Sequence, residues 1–221
     1  MVDRRVGGEP LEHVLGWAEF HGLRLVVEPQ VFVPRRRTEF LVDQAALLVR
    51  SGSVVVDLCC GCGALGAAVA ATVGGVELYA ADIHPASVRC ARRNVEPYGG
   101  QVFEGDLFEA LPDTLRGRID VLLANVPYVP TDDVALMPPE AREHEVRVAL
   151  DGGADGLDVL RRVTAAAPDW LAPGGHLLVE TSDRQVPTAV EAFAGLAARV
   201  VTDAADDATV VIGRRGLSRP R

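Results

Sequence analysis

The chain reads as an α/β protein: a mostly parallel, Rossmann-like seven-stranded sheet with helices on both faces and an antiparallel hairpin at one edge. Three observations predict it. Short apolar, β-branched runs alternate with helical stretches from Ser53 onward. One of them, Ser53–Leu58, turns through glycines at 61, 63 and 66 into the alanine-rich Ala64–Val73, the strand–loop–helix step that leaves backbone N–H groups bare for a ligand. The last two runs have no helix between them, which an antiparallel pair allows and a parallel pair does not.

The elements follow in order. Residues 1–37 form an N-terminal appendage and residues 38–221 the main domain. Leu11, Val14, Leu15 and Ala18 lie at helical spacing and predict a helix over Pro10–Phe20, stopped by Gly22. Leu23–Val27 is a strand ended by Pro29, and Val31–Pro34 is extended again. The Arg35–Arg37 run reads as a solvated turn before a helix over Thr38–Arg50. Strands then fall at Ser53–Leu58, Val76–Asp82, Gln101–Glu104, Ile119–Ala124 and Gly174–Glu180. Helices fall at Ala64–Val73, Pro85–Val95, Gly156–Trp170 and Val186–Ala198, with a short turn at Leu107–Ala110. The edge hairpin pairs Arg199–Asp203 with Ala208–Gly213, and the tail after Gly213 reads as disordered. The long loop Val129–Asp155 is a candidate lid.

Composition narrows the functions. With 221 residues, 48% of them hydrophobic, the chain can bury one sizeable α/β core and an appendage. A formal charge of −9, with all 22 basic residues arginine, argues against nonspecific nucleic-acid binding. No apolar run reaches membrane-spanning length, and the N-terminus lacks the apolar stretch of a signal peptide. Three of the four cysteines, Cys59, Cys60 and Cys62, crowd the glycine loop with no second Cys/His pair to complete a metal site. They read as small side chains in a reducing, cytoplasmic setting.

Ligands of such sheets sit at the carboxyl ends of the strands. Those ends carry Asp57, Asp82, Asp106 and Asn125. The spacing Gly61-x-Gly63-x-x-Gly66 matches the dinucleotide fingerprint, but a carboxylate at Asp57 would repel a pyrophosphate and attract a cation. S-adenosylmethionine offers an ammonium and a sulfonium and no phosphate. The alternative for Asp57 is a turn cap. Asp82, about twenty residues past the glycines, suits two ribose hydroxyls, and Asp106 an adenine amino group.

The most specific signal is Asn125-Val-Pro-Tyr128 at the end of the fourth strand. Asn125 supplies a side-chain carbonyl, and Val126, kept extended by the proline after it, a backbone carbonyl. Two acceptors side by side are what a planar NH₂ needs, and Tyr128 offers a ring face. The other reading is a packed loop. His84, His144 and His176 have no partners apparent in the sequence and read as surface or packing residues.

Asn125-Val-Pro-Tyr128 resembles the Asn-Pro-Pro-Tyr motif of class I methyltransferases that alkylate amide or exocyclic nitrogens. Gly8-Glu-Pro-Leu, Glu19-Phe-His-Gly-Leu, Val33-Pro-Arg-Arg-Arg-Thr-Glu39, Ala149-Leu-Asp-Gly-Gly-Ala-Asp-Gly-Leu157 and Leu171-Ala-Pro-Gly-Gly narrow the resemblance to the release-factor glutamine methyltransferase family. It runs from about Gly8 to about Ile212. It implies an S-adenosylmethionine-dependent enzyme that methylates a glutamine amide in a protein. It further implies catalysis by Asn125, Val126, Pro127 and Tyr128, and donor binding by Asp57, Cys59, Gly61, Gly63, Asp82, Ile83, Asp106, Leu107 and Asn125. Two departures are visible: the chain starts where the family's helical N-terminal domain would end, and Val126 replaces a proline. Competing readings are an amino-methyltransferase of a nucleic-acid base or a small molecule, and a module that binds the cofactor without turnover.

Overall fold

In the computed structural model, which describes residues 1–217, seven strands form one sheet: β3 (Val54–Leu58), β4 (Glu77–Asp82), β5 (Gln101–Glu104), β6 (Ile119–Ala124), β7 (Leu171–Glu180), β8 (Ala197–Asp203) and β9 (Ala208–Arg214). Their order across it is β5-β4-β3-β6-β7-β9-β8. All neighbours are parallel up to β7, and β9 pairs antiparallel with both β7 and β8. A smaller hairpin, β1 (Trp17–Phe20) with β2 (Leu23–Val26), lies within residues 1–37 and shares the core of the sheet through Ala18, Phe20 and Leu25.

The central strands are apolar on both faces because helices cover both. Every residue of β3 is buried, and so is all of β6 except Asp120, whose carboxylate accepts the Val54 N–H at 2.9 Å. Alternation sends Val54, Val56 and Leu58 into one half of the core and Val55 into the other. The first half packs under α7 (Asp158–Trp170) and α8 (Val186–Ala192); the second packs under α3 (Glu39–Ala46), α4 (Ala64–Val73) and α5 (Pro85–Val95). Each fully buried Val or Leu contributes about 1.5–3 kcal/mol. In register, Leu58 lies beside Ala81 on one side and Ala124 on the other. Cys59, Ile83 and Asn125 therefore leave the sheet close together at its carboxyl edge.

Several element boundaries differ from expectation. The helix at Pro10–Phe20 is only α2 (Leu11–Leu15), because Gly16 adopts a left-handed φ of 79° and closes it. Trp17–Phe20 then alternates as a strand with Ala18 and Phe20 buried. A short helix α1 (Val2–Val6), absent from the sequence reading, precedes it. The helix expected over Thr38–Arg50 starts from a 3₁₀ turn at Arg36–Thr38 and ends at Ala46. The helix expected to reach Ala198 ends at Ala192, and Ala197 onward pairs with β9. β7 begins at Leu171, three residues before the expected Gly174.

The segment 129–155 is not a bare loop. It contains a turn at Asp133–Leu136, helix α6 (Pro139–His144) and a turn at Arg147–Ala149. Its end lies flat on the Asn125–Tyr128 turn. A Cβ on Gly152 would come within 2.6 Å of the Pro127 carbonyl oxygen, and one on Gly156, at φ 80°, would overlap that of Tyr128. The tail is ordered at first: Arg214 completes β9, and the Arg215 N–H reaches the Gly175 carbonyl at 2.9 Å. The rest of the expected disordered tail, 218–221, lies outside the described residues.

Gly66 sits where α4 crosses the sheet. A Cβ there would lie 2.9 Å from Leu78 Cδ1 and 3.3 Å from the Asp57 carboxyl. Gly66→Ala should therefore lower stability by about 1–3 kcal/mol, the scale of overpacking. A urea midpoint equal to the parent's would contradict this packing of α4.

Candidate active site

A cavity of about 260 Å³ opens where β3, β4, β5 and β6 end. Its walls hold Cys59 and Gly61 from the glycine loop, Asp82 and Ile83 after β4, Asp106 and Leu107 after β5, and the whole Asn125–Tyr128 turn after β6. Its mouth is covered from the appendage by Phe32 and Pro34, and from the 129–155 segment by Met137, Val146 and Val148. Ten of the twelve residues expected at the site thus meet in one space.

Asp57 and Gly63 do not line it. Asp57 shares the Val55 face of β3, so its side chain points under α4 rather than into the loop. It is fully buried, and its Oδ2 accepts the Gly66 N–H at 2.9 Å at the start of that helix, while Oδ1 has no partner among the described residues. Burial, helped by nearby Asp82 and opposed by the Gly66 bond, pushes its carboxyl from 3.8 up to about 8. The turn-cap alternative describes Asp57 in this structure. Gly63 is left-handed at φ 79°, and its missing Cβ lets α5 approach: Ala91 and Val95 would both stand 3.1 Å from it.

Asp82 is held by two backbone donors, Gly61 N–H on Oδ2 at 2.9 Å and His84 N–H on Oδ1 at 2.8 Å. Desolvation raises its pKa and these two bonds oppose the shift. Ile83 beside it is half exposed to the cavity. Asp106 gives Oδ2 to Arg162 at 2.7 Å and leaves Oδ1 open among the described residues. His84 was read from the sequence as a surface or packing residue, and it is partly buried. It lines the cavity with its Nδ1 buried and unpartnered. Its place two residues past Asp82, opening α5, was the signal that could have found it.

At the other end, neither the Asn125 side-chain oxygen nor the Val126 carbonyl accepts a hydrogen bond among the described residues. Val126 packs its side chain into the core at 2% exposure, so its carbonyl rather than its side chain serves the cavity. The Tyr128 phenol donates to Glu180 Oε1 at 3.2 Å and accepts from Arg37 Nη2. The Arg37 guanidinium carbon lies 5.8 Å from the centre of the ring. Desolvation, with the Glu180 charge, pushes the phenol up to about 12, and it stays protonated.

The Arg35–Arg37 run keeps contact with solvent, Arg36 most of all, but Arg35 and Arg37 also bind buried carboxylates. Arg37 Nε binds the buried Glu180 at 3.1 Å. Arg35 binds both oxygens of Glu145 at 2.7 and 2.8 Å, and that carboxylate also accepts the Val33 N–H at 3.1 Å. Removing one partner of such a buried pair is costly, so these arginines fasten the appendage to the cavity cover and to the sheet. Gln185 Nε2 adds bonds to the carbonyls of Tyr128 and Asp155 at 2.9 and 3.0 Å. Burial pushes the loop thiols Cys59, Cys60 and Cys62 up, so they remain protonated and unreactive.

A sheet of this order, with a glycine loop after its central strand and an Asn-Val-Pro-Tyr turn after the next, defines a class I methyltransferase. The methyltransferase small domain family matches residues 23–137. The release factor glutamine methyltransferase of Geobacter sulfurreducens is 41% identical over 195 residues, 87% of this chain and 68% of that protein. The 4-amino-L-phenylalanine/4-methylamino-L-phenylalanine methyltransferase of Streptomyces pristinaespiralis is 36% identical over 87% of this chain and 68% of its own length. A solved methyltransferase from Pyrococcus furiosus has the same fold, with a TM-score of 0.66 at 18% identity over 88% of this chain and 90% of its own. The chain belongs to the release factor glutamine methyltransferase family of S-adenosylmethionine-dependent enzymes, and it spans about two thirds of the length of these curated relatives. No helix among the described residues is long and apolar enough to cross a membrane.

The raised Asp57 carboxyl has a sign that can be measured. Its protonated form suits the fold, so its contribution to stability is full below about 4 and is lost as pH rises through about 8. Asp57→Asn keeps the acceptor for Gly66 and cannot ionise. In ligand-free protein, thermal melts should show the variant gaining on the parent between pH 5 and pH 8.5. A difference that does not change with pH would mean Asp57 is ionised throughout.

Proposed function

We propose that this chain transfers the methyl group of S-adenosylmethionine to the side-chain amide nitrogen of a glutamine in a protein of the peptide chain release factor type. The observation that carries the reading is the adjacent pair of open acceptors, Asn125 Oδ1 and the Val126 carbonyl, on the cavity wall.

The residues present fit the donor. Each Asp82 oxygen spends one lone pair on a backbone N–H and keeps another for a ribose hydroxyl. The half-exposed Ile83 and the partly buried Leu107 offer apolar surface to an adenine, with Asp106 Oδ1 open to its amino group. Cys59 and Gly61 bring the loop backbone alongside, and the unpartnered His84 Nδ1 on the same wall is a polar group awaiting a ligand. The ionised Asp57 of the sequence reading has no part in this, although its cap on α4 holds the loop in shape.

S-adenosylmethionine, when bound, supplies an electrophilic methyl group. An amide lone pair is delocalised and a poor nucleophile, so orientation must do much of the work, up to about 7–11 kcal/mol in favourable cases. Asn125 and Val126 hold the two N–H bonds and aim the nitrogen. Pro127 keeps Val126 extended. Tyr128, clamped by Arg37 and Glu180, presents its ring to the amide plane and takes no proton; the proton that the methylated nitrogen sheds leaves to solvent with the products. The cover from 129–155 excludes water from the reacting centre. An aromatic amine could use the same acceptors, and the Streptomyces pristinaespiralis relative favours that second reading. Labelled S-adenosylmethionine offered with release factors, glutamine peptides and arylamines, followed by locating the label, separates the two.

Asn125→Ala should reduce methyl transfer on the order of a hundredfold or more, as when one preorganised polar group is lost, with cofactor affinity within about threefold because Asp82 and Asp106 are untouched. Asn125→Asp keeps an acceptor but adds charge beside the sulfonium, which stabilises the ground state more than the charge-dispersed transition state. It should bind cofactor at least as well as the parent and still be impaired. Single-turnover rates at parental level in both variants would remove the reading's main support.

A further inference from the structure

Behind the Tyr128 wall lies a second space, a groove of about 450 Å³. Arg37, Tyr128 and Val129 line both it and the cavity, so the clamp of Arg37 and Glu180 on Tyr128 forms a common partition. The far wall is the end of β7 and the turn after it. Two side chains there are spent on nothing, or only in part. Among the described residues, Thr181 is 5% exposed with no partner for its Oγ1, and Glu180 is 3% exposed with none for its Oε2, although Oε1 serves Arg37 and Tyr128. A buried acceptor without a donor costs about 1–3 kcal/mol, a cost that a ligand bringing N–H groups would return. The rim is acidic: Asp133, Asp183 and Asp207 join Glu180 against Arg37 and Arg184, and Arg37 is already committed to Glu180.

We propose that this groove seats the extended polypeptide flanking the methylated glutamine, with a basic side chain of that segment facing the acidic rim and N–H donors meeting Thr181 Oγ1 and Glu180 Oε2. The proposal rests on the amide-methylation reading and adds to it where the acceptor chain lies and which flanking charge it carries. A glutamine on such a segment would pass the edge of Tyr128 to reach Asn125 and Val126. The partition then has a second purpose: it orients Tyr128 toward the amide on one side and carries acceptors for the flank on the other.

The test compares three acceptors: N-acetylglutamine amide, a glutamine peptide with arginines beside the glutamine, and the same peptide with glutamates there. In the parent, kcat/KM should be highest for the arginine peptide, and its lead over the glutamate peptide should shrink as salt is added. Thr181→Val, close to isosteric, should lower the ratio of kcat/KM for the arginine peptide to that for the small amide by about three- to tenfold. Asp133→Asn, at an exposed position, should lower the preference for arginine over glutamate flanks without endangering the fold. Equal rates for the three acceptors, or a Thr181→Val ratio equal to the parent's, would overturn the groove assignment while leaving amide methylation standing. Methylation of none of the three, with cofactor still bound, would overturn the underlying reading and this proposal with it.

Discussion

The whole site depends on the pairing of β3 with β6 at the centre of the sheet. Both strands are buried on both faces, so their register has no freedom to slip: a one-residue shift would send each apolar set to the wrong half of the core. With Leu58 fixed opposite Ala124, the glycine loop and the Asn125 turn leave neighbouring strands, which lie about 4.8 Å apart, at the same level. The glycine loop and the Asn125–Tyr128 turn are thereby brought into one cavity, with no hydrogen bond between them among the described residues.

Around that fixed centre, carboxylates buried or nearly so do the fastening. Asp57 closes the start of α4, Asp82 binds the glycine loop to the start of α5, Glu145 ties the cavity cover to Val33 and Arg35, and Glu180 anchors Tyr128 through Arg37. Each takes backbone N–H groups or an arginine, the partners that make a buried carboxylate tolerable. The arginine bias of the chain has a use here, because a planar guanidinium can serve two oxygens or a ring face at once, as Arg35 and Arg37 do.

Much of this was legible in the residues. Continuous apolar, β-branched runs located the central strands, and the helical stretches alternating with them located α4, α5 and α7, because their burial is strong and regular. The glycine loop, Asp82 and Asn125-Val-Pro-Tyr128 could be placed because strand ends are where such sheets bind ligands. What escaped was decided by tertiary contact. Asp57 was read as facing the ligand, yet counting alternate residues from Val55 already put it under α4. The three arginines look alike in sequence, and only the folded chain shows that Arg35 and Arg37 meet the buried Glu145 and Glu180 while the exposed Arg36 reaches only the surface Asp206, at 3.7 Å. The glycines of 152–156 gave no hint that they allow close contact with the Pro127 and Tyr128 carbonyls. Helix ends at Leu15 and Ala192 were missed because the apolar spacing continues past them into strands.

The central claim is that Asn125 and Val126 hold an amide NH₂ at the methyl donor. The most direct measurement is a crystal structure of the protein with S-adenosylhomocysteine and a glutamine peptide. The account predicts the amide nitrogen within hydrogen-bond distance of both Asn125 Oδ1 and the Val126 carbonyl, in line with the homocysteine sulfur, and the ribose on Asp82. A glutamine amide bound away from those two oxygens, with the product in its place, would contradict it.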